Sequence, residues 1–265
     1  MELKNKLVNI MSVVLLCAVL IATGAFASCG TEDDSDEKHG AHIEAESDGK
    51  KDEKAKADFT VVLDAGHGGV DPGKVGVDGQ LEKDINLQIV MQLKEILESN
   101  EEYNIEVILT RDKDEGHYSE TDSNKKMTDM KKRCQIVEES EADVLVSIHQ
   151  NSYHSSSVKG AQVFYYEKSA EGHKMAMAIQ NKLVESLADN GKGRVEKSND
   201  NYYILLNVSC PAVIVECGFL SNPGEASKLA TEEYQKQVAK AIAEGVVEYF
   251  NGGKQSENKE ITGNK

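Results

Sequence analysis

The sequence predicts an α/β fold, in which a single domain has a twisted, mostly parallel or mixed central sheet flanked by helices. Two observations predict this fold class. Short β-branched apolar segments alternate along the chain with longer segments whose apolar residues recur at helical spacing. Several of the short segments also end directly in glycine or polar residues, as strands do where they meet loops at the edge of a sheet.

The sequence of the first half of the domain predicts two strands and two helices. Residues 59–63 form a β-branched apolar run that ends beside a glycine-rich loop. Apolar residues recur at helical spacing over 83–98, which indicates a helix packed on the sheet. Residues 105–110 indicate a second strand and 127–140 a second helix, with a polar surface loop over 113–126 between them.

The second half of the domain continues this alternation. The segments DVLVSI (143–148) and AVIV (212–215) are compact apolar runs, which are typical of buried strands. A Cys-Pro pair interrupts the pattern just before the second of them. The remaining predicted elements are a strand at 160–166, a helix at 170–188, a short strand at 201–206 and a final helical region from about 225 to 250.

The N-terminal segment predicts export. Two lysines precede an apolar run over 7–27, and Ala25-Phe26-Ala27 fits a small-x-small cleavage signal. Residues 1–28 are therefore expected to be a signal peptide or a lipoprotein signal, because Phe26-Ala27-Ser28-Cys29 also resembles a bacterial lipobox. Lipid on Cys29 would tether the protein to the outer face of the cytoplasmic membrane, whereas cleavage before it would release the protein. Both outcomes, and an uncleaved membrane helix, place the domain outside the membrane.

Composition divides the rest of the chain. Residues 31–58 hold eleven acidic residues and five lysines with one branched apolar residue, so 29–58 is expected to be a disordered acidic spacer. Residues 59–250 have the size of one domain, and the polar segment 251–265 is expected to be a disordered tail. The formal net charge is −16, and no Lys/Arg cluster is present. Nucleic acid is therefore not an expected partner.

The cysteines do not indicate a disulfide scaffold. Of the five in the chain, Cys134, Cys210 and Cys217 lie in the domain, and an odd number without C-x-x-C spacing argues against both disulfide stapling and a thiolate metal site. They are expected to be small buried apolar residues. Any metal in the domain must then be held by nitrogen and oxygen ligands.

Four chemically active residues stand at the ends of predicted elements. His67, His149 and Glu216 follow apolar strands, and Glu82 begins a helix. In open α/β sheets, ligands bind in the crevice outside the carboxyl ends of the strands. Two imidazoles and a carboxylate suit zinc with one open coordination position, and a second carboxylate can act as a general base. Taken singly, each residue has a structural alternative, such as a hydrogen-bonded histidine or a glutamate that favours a helix N-terminus.

The four segments around these residues carry a specific resemblance. DAGHGGVDPG, GQLEKDINL, ADVLVSIHQNS and PAVIVECGFLSNP resemble the signature segments of the zinc-dependent N-acetylmuramoyl-L-alanine amidases, often called amidase type 3. The resemblance extends over residues 59–250. It implies that His67, Glu82 and His149 bind one zinc ion and that Glu216 is catalytic. Departures from the family pattern, none of which removes a ligand, occur at Lys74, Gln150 and Cys217.

The resemblance also implies a reaction. The substrate would be peptidoglycan, and the protein, expected to be a monomer, would cut the amide that joins N-acetylmuramic acid to L-alanine. Zinc lowers the pKa of its water from about 9 to about 7, and Glu216 would accept the proton and pass it to the departing amine. Two alternatives remain open: an inactive wall-binding protein of the same fold, and a zinc peptidase that acts on stem peptides. Arg111 is expected to pair with a nearby carboxylate, with contact to a substrate carboxylate as the alternative.

Overall fold

The computed structural model describes residues 56–187 and 194–263, with side chains as far as residue 253. The predicted signal at 1–28 and nearly all of the predicted spacer lie outside these residues. The last spacer residues belong to the domain, because Asp58 exchanges hydrogen bonds with Asn104 and the carbonyl of Lys56 accepts another from it. In the described part of the chain, no helix combines the length and the apolar composition needed to cross a bilayer.

Six strands of the described residues form one mixed sheet. They are β1 (Phe59–Ala65), β2 (Ile105–Leu109), β3 (Val144–Asn151), β4 (Gln162–Tyr165), β5 (Lys197–Ser198) and β6 (Ala212–Phe219). Their order across the sheet is β2-β1-β3-β6-β4-β5. The strands β2, β1, β3 and β6 run parallel, and β4 pairs antiparallel with β6. This topology confirms the predicted fold class.

Helices cover both faces of the sheet. They are α1 (Glu82–Glu98), α2 (Lys125–Glu139), α3 (Ala170–Ser186), α4 (Tyr203–Leu206), α5 (Pro223–Leu229) and α6 (Glu232–Gly263). Helices α1, α3, α5 and α6 form the larger core with one side of the strands β1, β2, β3, β4 and β6, including Leu63 and Val146. Helices α2 and α4 pack on the other face around Val62, Leu145 and Ile214. Because strand residues alternate between faces, the strands β1, β2, β3, β4 and β6 contribute to both cores.

The prediction of a short strand at 201–206 is wrong. Residues 203–206 form the single helical turn α4, and adjacent residues Ile204 and Leu205 are both buried in the smaller core. Neighbouring residues of a strand point to opposite faces, whereas neighbours in a helical turn can both pack on one surface. The apolar and aromatic composition of this segment favoured a strand, and packing against the sheet selected a helix.

Two further boundaries differ from the sequence prediction. The final helical region is divided into α5 and α6, with a break after Leu229. Helix α6 continues to Gly263, so the segment expected to be a disordered tail begins inside a helix. Once a helix is nucleated, each further residue adds one backbone hydrogen bond, which allows a polar segment to extend it.

The register of the three central strands sets the position of the site. Ala65 at the end of β1 pairs with Ile148 of β3, and the next residue of β3, His149, pairs with Glu216 of β6. The carboxyl ends of β1, β3 and β6 therefore meet at one edge of the sheet. Their polar residues converge there as the sequence predicted.

Candidate metal centre and catalytic cleft

The loop after β1 holds His67 in an unusual backbone conformation. His67 has φ 63°, which is in the left-handed region that non-glycine residues rarely adopt. Its carbonyl accepts a hydrogen bond of 2.7 Å from Nη2 of Arg133, a residue of α2 that is 1% exposed. A strained residue at a cleft persists only when its surroundings hold it in place. Arg133 supplies part of that restraint from beneath the loop.

Two glycines let the ligands approach the backbone closely. A Cβ at Gly66 would lie 2.2 Å from Cε1 and Nε2 of the His149 ring. A Cβ at Gly73 would lie 2.6 Å from Oε2 of Glu82 and 2.7 Å from Cδ2 of His67, and Gly73 also has φ +67°. Any side chain at Gly66 would push the second histidine out of the site. The glycine-rich composition of this loop is thus a steric requirement of the centre.

Three predicted ligands converge at the edge of the sheet. Oε1 of Glu82 lies 3.2 Å from Nε2 of His67 and 2.9 Å from Nδ1 of His149. One ligand atom from each residue lies within 4.8 Å of the other two. The group offers two imidazole nitrogens and one carboxylate oxygen, so it could hold a single metal ion.

Neighbouring groups orient two of the three candidate ligands, His67 and Glu82. Nδ1 of His67 lies 2.9 Å from Oδ2 of Asp71, which leaves Nε2 directed at Glu82. The backbone N–H of Lys74 donates to Oε2 of Glu82 at 2.7 Å, and that of Gln150 donates to Oε1 at 3.1 Å. Such outer contacts fix the ring tautomer and orientation of metal-binding histidines. They also hold His67 and Glu82 in place, and Glu82 in turn contacts Nδ1 of His149 at 2.9 Å.

The electrostatics of Glu82 favour its ionised form. Burial opposes ionisation, but hydrogen bonds and charge interactions with His149 and His67 hold the pKa of Glu82 below its usual range. A metal ligand must be deprotonated, so this environment prepares Glu82 for cation binding.

A buried ionic network supports the loop from below. Nη1 of Arg133 donates to Oδ1 of Asp64 and to the carbonyl of Ala65, both at 2.7 Å, and Nε donates to Asp129. Asp64 also accepts hydrogen bonds from Thr110 and Ser147. The network connects α2 with β1, β3 and the loop that carries His67. Its members are buried and satisfied by hydrogen bonds, as buried charges must be.

The expectation that Arg111 pairs with a nearby carboxylate is wrong. Its guanidinium donates to the backbone carbonyls of Ala65, Gly66 and Lys83 at 2.8 to 3.2 Å. Backbone carbonyls at the ends of strands and loops need hydrogen-bond donors when they are buried. A guanidinium group offers five N–H donors. Arg111 therefore fixes the backbone around the loop, and it forms no ion pair with a carboxylate of the described residues.

Glu216 lies beside the three ligands but does not join them. It is 8% exposed, its Oε2 is buried without a hydrogen-bond partner among the described residues, and it lines the same cavity of about 500 Å³ as the ligands. Burial raises the pKa of Glu216 to about 7. A carboxyl group with a pKa near neutral is suited to accept and return a proton.

The described residues from β1 to the C-terminal helix match one known family. Residues 61–248 match the N-acetylmuramoyl-L-alanine amidase family, Amidase_3. The chain belongs to this family. The amidase is 38% identical over 193 residues to the germination-specific N-acetylmuramoyl-L-alanine amidase of Bacillus subtilis (strain 168), a match that covers 72% of this chain and 79% of that protein.

Solved structures of amidases share the fold. The CwlD amidase from Clostridioides difficile, solved in complex with the GerS lipoprotein, is 38% identical with a TM-score of 0.69, covering 73% of this chain and 98% of that one. An N-acetylmuramoyl-L-alanine amidase from Clostridium difficile 630 is 34% identical with a TM-score of 0.63, covering 73% and 97%. The family membership and fold inferred from the sequence motifs are confirmed.

The amidase cleft also contains residues that the sequence did not single out. Asn201, Tyr202 and Tyr203 line it from the segment that begins α4, and Lys126 and Met130 line it from α2. No local pattern marked these positions, since the tyrosines stood in a segment interpreted as a strand. Tyr202 is the one that contacts the predicted catalytic residue, because its hydroxyl lies 3.5 Å from Oε1 of Glu216.

Proposed function

We propose that this amidase hydrolyses the amide bond between N-acetylmuramic acid and L-alanine in peptidoglycan, with one zinc ion held by His67, Glu82 and His149. The observation that carries the proposal is the convergence of these three ligands within 4.8 Å in a cleft that also holds the buried carboxyl group of Glu216. Membership of the amidase family supports the choice of substrate bond.

The donor set fits zinc. Imidazole nitrogens combined with a carboxylate are common catalytic zinc ligands, whereas magnesium and calcium prefer oxygen ligands throughout. Three protein ligands would leave a coordination position open. When bound, zinc would act as a Lewis acid that polarises the scissile carbonyl and increases the acidity of a water molecule.

Glu216 would perform the proton transfers. Its carboxylate accepts a proton as water adds to the amide carbonyl, forming the new C–O bond. The same carboxyl group then gives that proton to the alanine nitrogen as the C–N bond breaks. A pKa raised by burial to about 7 allows both transfers near neutral pH. The products are a lactyl carboxylate on the sugar and a peptide with a free amino terminus.

The site of action would be the cell envelope. The N-terminal residues fit a secretory or lipoprotein signal, and the substrate lies outside the cytoplasmic membrane. A lipid on Cys29 would keep the domain near the membrane, with the acidic segment as its spacer. We further propose that the enzyme acts as a monomer, since the four site residues all come from one chain.

Digestion of purified sacculi tests the proposal. The full-length protein is loaded with zinc and incubated with sacculi, and the products are identified by mass spectrometry, with the Glu216→Gln variant as the matched control. Glycan without peptide, together with stem peptides that begin with free L-alanine, is the expected result. Cleavage within the stem peptide would instead indicate a zinc peptidase. Binding of the zinc-loaded protein to sacculi without cleavage would indicate an inactive wall-binding protein.

A further inference from the structure

Part of the cleft wall is formed by the residues that lead into α4. Tyr202 is the residue before the first helical turn, and its backbone N–H donates to Oδ1 of Asn199 at 3.2 Å. Its ring meets Phe164 of β4 edge-on, with 5.6 Å between the ring centroids. The half-buried phenol is therefore fixed at both its backbone and its ring.

The Tyr202 hydroxyl is the hydrogen-bond partner of the Glu216 side chain among the described residues. It donates to Oε1 at 3.5 Å, while Oε2 of Glu216 is buried and has no partner there. The separation is longer than a tight O–H···O bond, but such contacts in an active site are often long before substrate binds and shorten in the complex. Among the described residues, this contact is the hydrogen bond that favours one orientation of the carboxylate.

The phenol is a dependable donor at neutral pH. Burial, followed by the charge of Glu216, raises the pKa of Tyr202 to about 12. The hydroxyl thus keeps its proton throughout the range in which cells grow. It can donate to the carboxylate while Glu216 is ionised.

We propose that Tyr202 is a positioning residue for the reaction, whose hydroxyl holds the carboxylate of Glu216 in the orientation needed to accept the proton of the attacking water. This inference rests on the proposed role of Glu216 as the base. Tyr202 acts through Glu216 and not through the metal ligands or through substrate affinity. Its loss should therefore reduce the chemical step and leave binding of zinc and substrate in place.

The test is removal of the Tyr202 hydroxyl alone. In zinc-loaded full-length protein, Tyr202→Phe is expected to lower kcat roughly 10-fold, a part of the 10²- to 10⁴-fold that a general base contributes. KM should change less than about twofold, as for a group that acts only in the transition state. Zinc content and melting temperature should match those of the wild type.

Tyr249→Phe is the matched control. Tyr249 is also half-buried and donates to a glutamate, Glu171, at 3.3 Å, and burial likewise raises its pKa to about 12. It does not line the cleft. This variant should keep the kcat and KM of the wild type, which shows that loss of a buried phenol hydroxyl is not by itself damaging.

A double variant separates positioning from direct action on substrate. Because Tyr202 acts through Glu216, adding Tyr202→Phe to Glu216→Gln should not lower the residual rate further. A wild-type kcat in Tyr202→Phe would overturn the inference, and so would a further 10-fold loss in the double variant. A raised KM with unchanged kcat would also overturn it. The proposed role of Glu216 as the base fails separately, if Glu216→Gln itself retains the wild-type rate, and the proposed function fails if wild-type protein releases no peptide-free glycan from sacculi.

Discussion

Two buried glutamates in one cleft are driven toward opposite protonation states. Glu82 is held ionised by His149 and His67, although burial opposes this, whereas burial raises the pKa of Glu216 to about 7. Groups whose surroundings separate their pKa values in this way commonly divide the roles at an active site. Here the ionised carboxylate suits the metal and the neighbouring carboxyl group suits the proton transfers.

The first prediction concerns the proposed base. Glu216→Gln preserves the size of the side chain but cannot accept a proton, so kcat on muropeptides should fall by about 10²- to 10⁴-fold. Zinc content, measured by elemental analysis, should remain at one ion per chain because Glu216 is not among the three converging ligands. A variant with normal turnover would show that another group is the base.

The second prediction concerns the close approach of Gly66 to His149. Gly66→Ala would place a Cβ 2.2 Å from the His149 ring, so the ligand must move and both zinc content and activity should fall sharply. Gly252→Ala is the control, since no atom lies within 4 Å of a Cβ there. Equal zinc content in the two variants would show that the loop can relax around the added methyl group.

At the scale of elements, α2 is coupled to the central strands by ion pairs as well as by apolar packing. Arg133 of α2 bonds to Asp64 of β1 and to the carbonyl of His67 in the following loop. The pair is buried, so removing one partner leaves an uncompensated charge, which typically costs about 3–5 kcal/mol. The helix therefore helps to determine where His67, the first of the proposed metal ligands, lies.

The third prediction is a dependence of stability on pH. Burial opposes ionisation of Asp64, but Arg133 and the hydroxyls of Ser147 and Thr110 hold its pKa well below the ordinary value. Its folded pKa is lower than its unfolded pKa, so its contribution is complete above the unfolded value of about 3.9 and is lost as pH falls further. Urea unfolding should show that the free energy of unfolding falls in this range.

Asp64→Asn is the comparison for this measurement. The variant should be less stable at neutral pH, and its free energy of unfolding should fall less steeply below about pH 4 because the titrating group is gone. Parallel pH profiles for the wild type and the variant would show that Asp64 does not contribute to the acid response.

At the scale of the whole molecule, the three candidate metal ligands come from parts of the chain that are distant in sequence. His67 follows β1, Glu82 begins α1, and His149 lies in β3, so an ion bound to all three would connect elements that are separated in sequence. Such an ion binds the folded state and not the unfolded one. Occupancy should therefore contribute to global stability.

The fourth prediction follows from this linkage. Zinc at 100 times its dissociation constant should stabilise the fold by about 2.7 kcal/mol, which corresponds to a rise in melting temperature of roughly 5–10 °C for a domain of this size. Chelation should reverse the rise. The variants His67→Ala and His149→Ala should show no such response in thermal unfolding. An equal response in these variants would place the stabilising zinc elsewhere.

Local patterns predicted most of the elements and failed where packing overrides composition. The central strands were expected because compact apolar runs are a local property of the chain. Residues 203–206 became a helix because Ile204 and Leu205 pack together on the sheet. Strand β5 has only two exposed residues, whose pairing with β4 leaves no apolar signal.

The sequence by itself determined the chemical types of the site, because His67, Glu82, His149 and Glu216 stand in four motifs at the ends of predicted elements. Only the tertiary structure decided which groups hold them. Arg133 reaches the carbonyl of His67 across 66 positions of the chain, and Tyr202 meets Glu216 through a turn packed on the sheet. The physical reason is that such contacts depend on the order of strands and the packing of helices, which no local periodicity specifies.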